Sequence, residues 1–258
     1  MIHTYTFLRF LLTISLTSVE VQSTSFFVTT GFEVLKQRPV SDVSAYVEFS
    51  DKLKSTGWTE LTVITNASFS DVDQARAAGI GEGYATADRI VESWTNTMGS
   101  YCKEPSSFCT NLKEFIYENE YWMKYMIDKM ATKSNYWYHV NLIYTQIQGL
   151  YDGFNLVYPN RLQLSDFYLM NLSGDLEDLE QALEGGLEEI RARKQVRSHE
   201  HMLGTGSCSA IVKWLHGDLL TSHITWNSYQ SMIRIIKNYN LNFRMGPKDP
   251  QNRVPGKV

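Results

Sequence analysis

The sequence predicts an α+β protein of layered αββα type. Apolar and polar residues alternate with a period of two through the first quarter of the chain, as half-buried strands do. Helical 3–4 spacing then takes over from about residue 71 to residue 197. From Cys208 to Lys237 two short apolar runs flank an X-Gly dipeptide and lead into a helix-like segment, and hairpin followed by helix suits layered packing.

Composition sets outer bounds. A net charge of −4 with 20% charged residues argues against a nucleic-acid-binding face. With 43% hydrophobic and 13% aromatic residues, the 258-residue chain can fill one large domain or two small ones.

Residues 1–23 read as a secretory signal. Arg9 supplies the positive n-region, Phe10 to Val19 the apolar core, and Val21-Gln-Ser23 a small-residue cleavage site. The alternative is a buried first strand. The run is too short to cross a bilayer, so no transmembrane anchor is expected. Strands follow at Ser25–Thr30, Val43–Phe49 and Trp58–Thr65.

A helix capped by Ser70 or Asp71 runs toward Trp94, since early carboxylates favour a helix N-terminus. Gly79, Gly81 and Gly83 lie inside it and mark close backbone packing. A nucleotide loop would need a preceding strand and a Lys or later acid, which are missing. A second helix spans residues 111–130 with Phe115, Trp122, Met126 and Ile127 on its packing stripe. A third runs from Tyr136 to Leu150, packing through Tyr138, Leu142, Thr145, Ile147 and Leu150. Gly149 to Phe154 and Tyr158-Pro159 break the chain, and Leu164–Met170 begins a further element in which Asp166 caps or meets a pocket. Asp175 to Arg197 reads as a charged, solvated helix interrupted at Gly185-Gly186. The helix expected after Trp226 spans Asn227–Lys237, with Tyr229, Met232, Ile233 and Ile236 at 3–4 spacing.

The cysteines divide two and one. Cys102 and Cys109 flank a Pro-containing turn and would be oxidised together in an exported chain. Cys208 is left over, which points to a free reactive thiol or an intermolecular bond; a buried inert cysteine is the bland alternative. Two sequons, at Asn66 and Asn171, fit passage through the secretory pathway as glycosylation sites. His199 and His201 make a weak metal pair without a third ligand, so neither metal nor cofactor is expected.

A two-residue turn at His216-Gly217 would set Leu215 opposite Asp218 and Cys208 opposite Thr225. Cys208, Ala210, His223 and Thr225 then share one face, with the imidazole diagonal to the thiol. A turn one residue longer reverses that parity.

The motif Gly206-Ser-Cys-Ser-Ala-Ile-Val-Lys213, followed by Ser222-His-Ile-Thr-Trp-Asn-Ser-Tyr-Gln-Ser-Met-Ile-Arg-Ile-Ile-Lys237, resembles the phospholipase B-like family. Gly57-Trp58 leading into Leu61-x-Val-x-Thr65 resembles its N-terminal part. The resemblance implies an N-terminal-nucleophile hydrolase, which cuts its own chain just before a Cys. By that match the cut falls between Ser207 and Cys208, Cys208 serves as nucleophile and α-amino base, and His223, Thr225 and Trp226 belong to the catalytic pocket. It also implies a lipid or acyl-amide substrate, a lysosomal or secreted location, and a further C-terminal portion, making this chain an N-terminal fragment with an incomplete sandwich. The chain would divide into an N-terminal portion at 24–190, a linker or pro-segment at 191–207, and the start of the nucleophile portion at 208–258. Self-association into a homo-oligomer is left open. The rival reading is a non-enzymatic luminal or secreted glycoprotein that keeps the fold. A papain-like protease fits poorly, because its Cys opens a helix and Cys208 opens a strand.

Overall fold

The computed structural model describes residues 23–39, 42–104, 106–183 and 208–254. The signal segment and cleavage-site residues 1–22, the segment 184–207 with Ser207, His199 and His201, and the last residues 255–258 lie outside these. The fold is α+β. Strands β1 (Ser23–Thr29), β2 (Val34–Leu35), β3 (Val43–Lys52) and β4 (Trp58–Thr65) come first, with the single-turn helix α1 (Leu53–Thr56) between β3 and β4. Helices α2 (Asp71–Ala85), α3 (Ala87–Thr97), α4 (Ser107–Met130), α5 (Asn135–Asn155), α6 (Leu164–Asn171) and α7 (Leu176–Leu183) follow. The last part holds β5 (Ser209–Leu215), β6 (Asp218–Ile224), β7 (Ile235–Asn240), β8 (Arg244–Gly246) and β9 (Asp249–Arg253).

The main sheet has the order β2-β1-β3-β4-β7, antiparallel except for the parallel pair of β4 and β7. The alternation in β1, β3 and β4 sends Phe26, Val28, Val47, Leu61 and Val63 to one buried face, where Ala77, Ala78 and Ile80 of α2 meet them. Ser70 caps α2 by accepting the Asp73 backbone N–H at 3.1 Å.

The glycines of α2 have a packing role, as their spacing suggests. A Cβ on Gly81 would stand 2.4 Å from Val47 of the sheet. Gly79 and Gly83 face α5, whose own Gly149 and Gly153 face back at the carbonyls of Arg76 and Ile80. The two helices therefore touch backbone to backbone, and α2 is clamped between the sheet and α5. Gly149 and Gly153 do not end α5, which continues to Asn155 because the absent side chains are what let it lie so close.

Several expectations are corrected. The helix expected from Asp71 to Trp94 is two helices, divided at Thr86. On α4 the buried residues are Phe108, Cys109, Leu112 and Ile116, while Trp122 is exposed and Phe115, Met126 and Ile127 are half-buried. The fully buried residues of α4 all lie in its first half and end at Ile116. Asp166 is a cap: its carboxylate accepts the Gln163 backbone N–H at 2.8 Å. Of the charged stretch, Leu176–Leu183 is helical and the remainder lies outside the described residues.

The largest correction falls on Asn227–Lys237. That segment forms a short 3-10 turn, Tyr229–Ser231, and then enters β7. Ile235, Lys237 and Tyr239 point inward with strand alternation, and β-branched Ile233, Ile235 and Ile236 favour extended backbone. The open edge of β4 decides the matter, since pairing with β7 satisfies its backbone groups.

Candidate functional site

The hairpin β5–β6 turns through His216 and Gly217, whose φ values of 51° and 86° are those of a two-residue I′-type turn. Gly217 accepts that geometry without strain. The register runs from Leu215↔Asp218 to Ser209↔Ile224, with Ala210 opposite His223. Cys208 and Thr225 lie one residue outside the last pair of this ladder. His223 is thus fixed opposite Ala210, and Cys208 immediately precedes the strand that carries Ala210.

All three cysteines are among the described residues. Cys102 and Cys109 form a disulfide, and Cys208 is free and exposed. The hairpin stands in solvent, with all seven residues of each strand exposed. Thr225 is exposed too, and Trp226 is 61% exposed. Ile211, Val212, Trp214, Leu215, Leu219 and Leu220 leave apolar surface on both faces of the ribbon. A lone two-stranded hairpin is at best marginally stable in water, so this ribbon needs a cover.

Asn66 is exposed at a turn, its Oδ1 accepting the Ser68 backbone N–H at 3.0 Å and its Nδ2 donating to the Val43 carbonyl at 3.1 Å. Asn171 ends α6, with Nδ2 donating to the Phe167 carbonyl at 2.8 Å.

A second feature escaped sequence reasoning. A groove of about 930 Å³ runs between the helices and the late strands. Its walls are largely apolar, with Ile90, Ile143, Ile147, Leu150 and Met170 on one side and Ile235, Phe243 and Met245 on the other. One end is polar. The Glu82 carboxylate, 5% exposed, accepts from Lys237 Nζ at 2.7 Å and from the Tyr239 hydroxyl at 2.9 and 2.8 Å. Burial, reinforced by that carboxylate, pushes the Tyr239 phenol far above its ordinary range. Reading residues 227–237 as helix hid the cluster, because only strand alternation sends Lys237 and Tyr239 to one face.

A second buried carboxylate, Asp71, ties the start of α2 to α5 and β8. It accepts from the Tyr138 hydroxyl at 2.6 Å and the Arg244 backbone N–H at 2.6 Å. Burial and that bond push the Tyr138 phenol up to about 12. Among the described residues no cluster of three or more His, Cys, Asp or Glu side chains could hold a metal ion. No described helix is long and apolar enough to cross a membrane.

The family model for phospholipase B matches residues 45–255. A phospholipase B-like 2 protein of Rattus norvegicus is 37% identical over 225 residues, covering 83% of this chain and 36% of its own length. Its Homo sapiens counterpart is 36% identical with the same coverage. Phospholipase B-like protein B of Dictyostelium discoideum is 31% identical over 233 residues, 88% of this chain and 40% of its own. The chain thus spans little more than a third of the length of these curated relatives.

Proposed function

The chain belongs to the phospholipase B family, and from that membership we propose that it carries the nucleophile of a thiol-dependent hydrolase of acyl ester or amide bonds, with lipids as the substrate class. The observation that supports this most is the free, exposed Cys208 immediately before β5, in the hairpin whose partner strand carries His223 opposite Ala210. The lipid part rests on the relatives' names alone.

While Cys208 is internal its nitrogen is an amide and cannot act as a base. Its thiol attacks the Ser207 carbonyl carbon, the Ser207–Cys208 C–N bond breaks, and the thiol proton passes to the departing nitrogen. The product is a thioester on Cys208 sulfur and a free α-amine. Water then hydrolyses the thioester, leaving a Ser207 carboxylate and the restored thiol. The new amine, with a reference pKa of about 8, sits one residue from a thiol near 8.5 and can take its proton. In turnover the thiolate attacks the substrate carbonyl, and the amine returns the proton to the departing alcohol or amine. Water then releases the acyl group. His223 orients the amine or contacts the substrate, and Thr225 and Trp226 flank the acyl group.

Acyl transfer also needs oxyanion donors and walls that exclude water. In this reading a further portion of chain, like that by which the relatives exceed this one, lies on the apolar ribbon, completes the αββα sandwich and supplies them. The segment 191–207 serves as the linker that presents the scissile bond. Passage through the secretory pathway to a lysosomal or secreted destination, with glycans on Asn66 and Asn171, belongs to the same proposal.

N-terminal sequencing of the secreted product tests the reading. The expected outcome is a fragment beginning at Cys208, abolished by Cys208→Ala. A single intact chain after acidification, with wild type and Cys208→Ala indistinguishable, would return the protein to the rival reading of a non-enzymatic glycoprotein.

A further inference from the structure

The two sequons differ in what lies beside them. Asn66 sits in the turn between β4 and α2, away from the groove. Asn171, the last residue of α6, is exposed and also lines the groove, so it stands at the rim. Phe167 and Met170 of the same helix belong to the same wall. The Asn171 side chain is already oriented, because its Nδ2 donates to the Phe167 carbonyl at 2.8 Å. A primary amide carries two N–H groups, and N-glycosylation replaces one of them. The other keeps the Phe167 bond, which holds the root of a glycan against α6 at the rim.

The groove needs such a neighbour. Ile143 on one wall is 56% exposed and Met245 on the other is 40% exposed. Exposed apolar surface rimmed by polar residues promotes association with other protein surfaces. A glycan is bulky, solubilising and confined to the surface. Rooted at the rim, it keeps a second protein surface out of the cavity and adds no apolar area of its own.

We propose that the glycan on Asn171 guards the groove against self-association of the chain, a role the glycan on Asn66 does not share. This rests on the glycosylation included in the proposed function and uses none of the residues assigned to hydrolysis. Protein secreted from a glycosylating host tests it. Asn66→Gln leaves Asn171 as the one remaining sequon, so an endoglycosidase acting on the folded variant trims that glycan alone. Trimming should raise the fluorescence of anilinonaphthalene sulfonate, which reports exposed apolar surface, and shift sedimentation toward larger species as concentration rises. Untrimmed Asn66→Gln should match the wild type in both. Adding Ile143→Asp should abolish both changes, because it sets a charge on the groove wall at a residue exposed enough to spare the core. The exposed β5–β6 ribbon binds dye equally in every variant, so the difference on trimming is what counts. Mass spectrometry that finds no glycan on Asn171 of the wild type overturns the glycosylation reading and this proposal together. A glycan whose trimming alters neither signal overturns the proposal alone, as does a change on trimming that Ile143→Asp leaves in place.

Discussion

Gly83→Ala places a methyl group where α2 and α5 touch. Its carbon would stand 2.1 Å from the Leu150 carbonyl oxygen and 2.9 Å from the Phe154 nitrogen, whereas ordinary contact begins at 3.4 Å. The helices must part by about 1 Å, or α5 must surrender the bond at that carbonyl. In a free helix the change would favour Ala by about 1 kcal/mol. Overpacking opposes it by about 1–3 kcal/mol or more, and a strained backbone hydrogen bond adds about 1 kcal/mol. The balance is a net destabilisation of about 1–3 kcal/mol, which lowers Tm by roughly 2–12 °C in a domain of this size. Thermal unfolding followed by circular dichroism measures it, with Gly174→Ala, where nothing lies within 4 Å, as the control. The change should also widen the groove, because Ile147 and Leu150 on α5 line it. If Gly83→Ala melts at or above the control, the two helices are not in backbone contact and the clamp on α2 is wrong.

Three further outcomes follow from the same structure. Under native conditions a thiol reagent should modify one cysteine per chain, Cys208, at the rate of an exposed thiol; slow or absent labelling would contradict its exposure. Replacing Cys102 and Cys109 by Ser opens a loop closed across a separation of seven residues, which should cost about 2–3 kcal/mol in denaturant unfolding. The Tyr138 phenol is pushed from 10 up to about 12 by burial and by its bond to Asp71, so the folded state holds the proton more tightly than the unfolded one. Its contribution is fully present below pH 10 and is lost as pH rises toward 12. Tyr138→Phe should flatten stability loss across that window, and an unchanged alkaline slope in stability-versus-pH curves would count against the assignment.

Local pattern reads well where the chain makes its own decision. Alternation set β1, β3 and β4, because residues facing α2 must be apolar whatever else the molecule does. His216-Gly217 fixed the hairpin register for the same kind of reason: few residue pairs accept left-handed backbone twice in succession. The glycines of α2 announced close packing, though not the partner, since α5 lies some seventy residues away. The misreadings share one cause. Ile233, Ile235 and Ile236 satisfy helical spacing and strand alternation almost equally, and only the vacant edge of β4 chose between them. The stripe on α4 was displaced for a like reason, because the core reaches only as far as Ile116 along that helix.

Sequence alone determined the α+β class, the pairing of Cys102 with Cys109, the unpaired thiol and the two-residue turn of the hairpin that carries His223. These follow from side-chain period, turn chemistry and the count of cysteines, all of which act over short stretches of chain. Tertiary structure decided that residues 235–240 are a strand, that Glu82 meets Lys237 and Tyr239, and that the buried part of α4 ends at Ile116. Each of these depends on which distant surface is left open once the nearer segments have packed, and no local pattern encodes that.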